Sequence, residues 1–176
     1  MNTQKKLKPR LSGLAAELIV AAQLVDHGWN IYSPHVDEGF DFIAVKPLPE
    51  GNILMRPVQV RGRYPEVVRN RSVYGKRNSR LSQLHDEMVF ALPYFKEKDG
   101  IYQLVTVAFL PKEQINVVKK RTRNAEKDEF YCTALPAKVR EGTISARRDY
   151  EIFFDGPGIE AMYRADWKDT VPENLN

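Results

Sequence analysis

Hydrophobic and polar positions along the chain follow two alternating periods. Over residues 12–27 the apolar positions recur at helical spacing, with Ser12 placed as an N-cap and Gly28 as the stop. Residues 29–33 read as a short strand ended by Pro34, and 40–46 alternates in the manner of a half-buried strand. The run Pro47-Leu48-Pro49-Glu50-Gly51-Asn52 supplies turn chemistry, and 53–63 reads as the returning strand. The stretch 64–80 is polar, basic and irregular, and 79–86 predicts a short helix. A strand over 87–95, a turn over 96–100 and the clearest strand of the chain over 101–110 follow. Pro111 then opens a predicted helix that runs to about residue 120. In the last third, 130–135 and 150–154 read as strands, 158–164 as a short helix and the residues from 166 as a tail. This order predicts an α/β fold with a central mixed β-sheet flanked by helices. A basic arm would cover residues 1–11, the core 12–120, and a C-terminal annex of short strands and a helix, packed on the core, 121–176.

Composition narrows the class. The chain has 176 residues, 43% of them hydrophobic and 28% charged, which is enough apolar material for a buried core. No apolar run reaches the roughly 18–20 residues of a membrane span, and the basic N-terminus lacks a signal peptide's apolar segment. With one cysteine, Cys132, there is no internal disulfide and no cysteine zinc cluster, so a reducing cytoplasm is the expected setting. The net charge of +4 permits an anionic partner without requiring one.

Two polar residues interrupt apolar patterns. On the first helix Glu17 falls among Leu14, Leu18, Val20, Ala21, Ala22, Leu24 and Val25. Burying an ionised carboxylate costs several kcal/mol unless a cation, metal or donor meets it. The alternative is a glutamate at the edge of the face that reaches water or an arginine. The second is Asp41, out of place by propensity in a β-rich segment. If 40–46 and 53–63 pair around the proline-rich turn, paired residue numbers sum to about 100, and Asp41 faces Gln59. Alternation then puts Asp41 with Ile43 and Val45, and Gln59 with Arg61 and Arg63.

Glu17, Asp41, Gln59 and Arg61 would thus meet at one site. A hard divalent cation takes carboxylate and amide oxygens together with water and phosphate oxygens. Asp41, the Gln59 side-chain oxygen and Glu17 would hold Mg²⁺ or Mn²⁺, which lowers the pKa of a bound water. Arg61 would clamp a phosphate oxygen and steady developing negative charge. The plainer reading is a buried Asp–Arg pair with a hydrogen-bonded glutamine.

The segments Gly13-Leu14-Ala15-Ala16-Glu17, Leu24-Val25-Asp26-His27-Gly28-Trp29, Asp37-Glu38-Gly39-Phe40-Asp41 and Val58-Gln59-Val60-Arg61 together resemble the PD-(D/E)XK nuclease superfamily. The chain is most similar to its branch of Holliday-junction resolvase-like and intron-homing-type nucleases, some of which carry glutamine in the second motif. The resemblance covers about residues 12–110. It implies a restriction-endonuclease-like core and metal-dependent phosphodiester hydrolysis, with Glu17 as the helix glutamate, Asp41 as the motif aspartate and Gln59-Val60-Arg61 as the (D/E/Q)-x-K unit. Relatives of this kind often dimerise to cut two strands. The motif lysine is here Arg61, which stays protonated and cannot act as a base. A DNA-binding or assembly module that kept the fold and lost hydrolysis is therefore the alternative to an endonuclease.

Arg63, Arg69, Arg71, Lys76, Arg77 and Arg80 follow the site, with Tyr64 and Tyr74 among them. Such a cluster suits the phosphate backbone of duplex or branched DNA, while a solvated basic loop with no partner is its bland counterpart. The run Lys119-Lys120-Arg121 suits the end of the predicted helix after Pro111. Neighbours on a helix do not face each other, so His85-Asp86 is not read as a dyad, and Cys132 reads as core.

Overall fold

A computed structural model describes residues 9–36, 39–64, 72–74, 85–112, 115–122, 125–132, 153, 155–164 and 167. Helix α1 (Pro9–Asp26) starts before the predicted N-cap, with proline in its first turn. It ends in a Schellman motif. Gly28 takes a left-handed φ of 80°, its N–H reaches Val25 O at 2.8 Å, and Trp29 N–H reaches Leu24 O at 3.0 Å. Leu24 and Trp29, the two ends of that motif, are both buried in the core.

Five strands form the main sheet in the order β1 (Asn30–Tyr32), β2 (Phe42–Pro47), β3 (Ile53–Val60), β5 (Val89–Lys98), β6 (Ile101–Pro111). Among the described residues only β3 and β5 run parallel, so the sheet is mixed, as predicted. A parallel pair needs a crossover, and residues 61–88 make it. Ala16, Val20 and Leu24 of α1 join Phe42, Ala44, Val58, Val60, Val89 and Ala91 in one apolar core. The packed row on α1 is therefore narrower than the predicted arc, for Leu14, Leu18 and Val25 are each more than half exposed. Apolar residues cover more of this helix than one sheet can bury, and the small Ala16 favours the row that approaches closest.

A second sheet has the order β4 (Ser72–Tyr74), β8 (Ala125–Cys132), β7 (Ile115–Thr122). It corrects two expectations. The helix predicted over 111–120 is instead the end of β6 and the strand β7, and 72–74 within the irregular basic stretch is a strand. Ile115, Val117 and Val118 suit a strand by propensity, and eight cross-strand partners in β8 decide the matter. Of the helix predicted at 79–86, residues 79–84 lie outside the described residues and 85–87 form no helix.

The C-terminal segment is part of the core. Helix α2 (Asp155–Ala161) is tied to β6 by Asp155, which accepts from Thr106 Oγ1 at 2.7 Å and from Val107 N–H at 2.9 Å. Arg56 of β3 reaches across to Met162 O at 3.1 Å and Arg164 O at 3.2 Å, and pairs with Glu87. Its guanidinium lies 5.2 Å from the ring centre of Trp167. Trp167, expected in a tail, is wholly buried, and Phe153, expected in a strand, is buried outside one. No helix among the described residues is long and apolar enough to cross a membrane.

Candidate active site

The β2–β3 hairpin has the register that the sequence spacing predicts, from Phe42 opposite Val58 to Pro47 opposite Ile53. Pairing continues one residue beyond β2, where Asp41 N–H donates to Val58 O at 2.9 Å. Asp41 consequently stands beside Gln59. Its Oδ2 accepts from the Gln59 side-chain N–H and, at 2.6 Å, from the main-chain N–H of Val60. The Nη1 of Arg61 lies 3.9 Å from the same oxygen. One carboxylate oxygen at the strand end thus gathers two donors and a guanidinium.

Arg61 is held both at its main chain and at its guanidinium. Its main-chain N–H donates to Ala91 O at 2.9 Å and its Nη1 to Val60 O at 2.9 Å. The side chain keeps 38% of its surface exposed, so an incoming anion has access to the fork.

Glu17 approaches from α1. Its carboxyl titrates above the ordinary glutamate range because burial disfavours the ionised form, and the negative charge of Asp41 adds to the effect. Arg61 acts in the opposite direction. These couplings place Glu17 within electrostatic reach of both residues. It stands at the margin of the buried helix face and not in its middle.

Gly62 permits that approach, a feature the sequence reading missed. A Cβ on Gly62 would stand 2.7 Å from Tyr64 Cε2 and 3.2 Å from the Cβ of Ala16, the residue before Glu17. Tyr64 stacks on Phe95 at 4.5 Å between centroids and meets Tyr102 edge-on at 4.9 Å. A glycine between two arginines, Arg61 and Arg63, was the available signal, and it acquires meaning only once the helix lies across it.

The expected basic surface divides. Arg63 is only 4% exposed, with its N–H on Pro93 O at 2.7 Å and its carbonyl accepting from Phe95 N–H at 2.9 Å. This corrects its assignment as a phosphate contact, because the short pairing alongside β5 draws the residue inward. Arg69, Arg71, Lys76, Arg77 and Arg80 lie outside the described residues. His85 accepts from Glu87 N–H at 3.0 Å through Nδ1 in a local turn, whereas Asp86 bridges to Lys112, just past the end of β6, at 2.9 Å.

Among the described residues no group of three or more His, Cys, Asp or Glu side chains is placed to hold a metal ion. Two carboxylates, Asp41 and Glu17, feel each other's charge beside the Gln59 amide. Two carboxylates completed by water and substrate phosphate oxygens suffice for a cation of the magnesium type, so the residues fit. Gln59 presents Nε2 to Asp41, and in this arrangement it is the donor that holds the aspartate. Neither the models of known protein families nor the curated proteins compared with the chain match it.

Proposed function

We propose that this chain is a metal-assisted DNA endonuclease with a restriction-endonuclease-like core of the PD-(D/E)XK kind. One observation carries the reading: Asp41, Gln59, Val60 and Arg61 meet at a single carboxylate oxygen, with the Glu17 charge coupled to them from another element. Asp41 and Glu17 would hold Mg²⁺ or Mn²⁺. The metal, when bound, supplies a water of lowered pKa and stabilises charge on the phosphate.

The protein's own groups supply the rest. Val60 N–H and Gln59 fix the orientation of the Asp41 carboxylate, and Arg61 offers its exposed edge to a non-bridging oxygen of the scissile phosphate. Arg61 remains a cation throughout, so it stabilises charge and moves no proton. Bringing like-charged Glu17 and Asp41 together is costly unless a cation meets them, which favours a site built to receive one.

The test is incubation with Mg²⁺ or Mn²⁺ on linear, supercoiled and four-way-junction DNA. Metal-dependent nicking that Asp41→Ala abolishes is expected, and equal cleavage by that variant would refute the assignment. A second reading has its own support, since Arg61 stands where a lysine could act as a base and Gln59 occupies an Asp41 oxygen. A binding module of the same fold would hold DNA in a salt-sensitive way and cut it with no metal.

A further inference from the structure

The β5–β6 hairpin runs on past the end of β3. β5 is buried from Val89 to Phe95 and exposed from Lys96 to Lys98, while its partner is exposed or half-exposed over 101–105 and buried from Thr106. The outer part of this hairpin projects from the sheet directly beyond the candidate site.

Its two faces differ in chemistry. Gln59 pairs in parallel with Phe90, Val60 with Ala91, and the isolated bridge Arg63–Tyr94 keeps the same register. Arg61 therefore lies level with Leu92. Side chains alternate along a strand, so Gln59 and Arg61 share a face with positions 90, 92 and 94, and Lys96 and Lys98 continue that alternation on β5 past the register shift with β6 between Tyr94 and Phe95. Lys96 pairs with Gln103 and Lys98 with Ile101, all four exposed, so this face carries two cations and no acid beyond Tyr94. The other face takes Phe95 and Tyr102, packed with Tyr64, and the acid Glu97, which pairs with Tyr102. Asp99 sits in the turn with a φ of 53°. The charges of the hairpin are segregated, and its lysines lie on the strand face of Arg61, beyond the buried Leu92 and Tyr94.

We infer that the Lys96–Lys98 face of the β5–β6 hairpin is a backbone-tracking arm that holds the DNA flanking the site. This rests on the nuclease reading of the site. At about 3.3 Å per residue, Lys96 and Lys98 stand roughly 13 and 20 Å from the level of Arg61. Their mutual spacing of about 6.6 Å matches the rise of two base steps along one strand. Gln103 adds a neutral donor, and Ile101, 66% exposed at the tip, offers an apolar contact to a groove.

The experiment titrates the full chain and its Lys96→Ala/Lys98→Ala variant with a fluorescein-labelled DNA duplex in EDTA, by anisotropy across a salt series. Supercoiled-plasmid nicking with Mg²⁺ is measured alongside. Loss of two phosphate contacts should make the slope of log affinity against log salt shallower by about 2. The variant's KM should rise with kcat unchanged, and Glu97→Gln on the opposite face should behave as the wild type. Unchanged affinity and slope in the double variant would overturn the arm while wild-type nicking left the site standing. A wild type that binds without nicking, combined with the shallower slope, would support the arm and remove the hydrolytic reading. A wild type that binds no DNA at low salt would overturn both.

Discussion

Val60 donates its main-chain N–H to Oδ2 of Asp41 at 2.6 Å, the oxygen that also takes the side-chain N–H of Gln59. The hairpin that aligns these residues ends where the carboxylate begins, so the backbone itself sets the direction of the acid. Catalytic and structural consequences of changing Asp41 can therefore be separated.

Asp41→Ala should abolish nicking and also leave two donors without their acceptor, at a cost of about 1–3 kcal/mol. Asp41→Asn keeps one acceptor oxygen, loses the charge and turns the other oxygen into an NH2 donor. It should retain most of the stability in urea titration while losing the nicking. Equal destabilisation by both changes would contradict the arrangement.

Arg61→Ala should slow nicking by about 10²–10³-fold, the usual scale for removing one donor to developing charge. Arg61→Lys keeps the cation and should recover most of that loss. Initial rates on supercoiled plasmid measure both. A lysine variant as slow as the alanine one would show that fork geometry, and not charge alone, is required.

Glu17 gives a pH signature. Burial first, then Asp41, raise its folded-state pKa, so the native chain holds that proton more tightly than the unfolded chain does. Its contribution to stability is present below the unfolded value and is lost as pH rises through the folded one. Glu17→Gln should therefore be more stable than the wild type at neutral pH in EDTA. The difference should close as pH falls below the ordinary glutamate value of 4.5. Urea titrations over a pH series report it, and a gap that widens on acidification would reverse the sign.

Arg56→Ala should destabilise the fold by about 3 kcal/mol, since it removes the guanidinium that pairs with Glu87 and donates to the Met162 and Arg164 carbonyls. Burial lowers the pKa of Arg56, and the guanidinium nevertheless stays charged, as arginine does in proteins. Limited proteolysis should then cut sooner around residues 155–167 than in the wild type. Protection equal to wild type would show that apolar packing alone secures this segment.

Gly62→Ala should cost about 1–3 kcal/mol through overpacking against Tyr64 and Ala16. The displaced helix also carries Glu17, so nicking should fall further than the loss of folded protein explains. Rates normalised to the folded fraction by circular dichroism test this.

The sequence alone determined the first helix, the β2–β3 hairpin and its register, because these depend on local periodicity, a proline-rich turn and helix-stop chemistry. It also named the residues that meet at Asp41, since hairpin register follows from chain spacing. Only tertiary structure decided the rest. Which apolar row of α1 is buried depends on the sheet it meets, and so does the withdrawal of Arg63 from the surface. The residues from 111 to about 120 were read as a helix because Pro111 is locally compatible with one, whereas long-range pairing with β8 made β7 a strand. Trp167 looked like tail because its binding partner, Arg56, lies over a hundred residues away in the chain. Local pattern encodes what neighbours in sequence can satisfy, and burial is settled by whichever distant element covers the site.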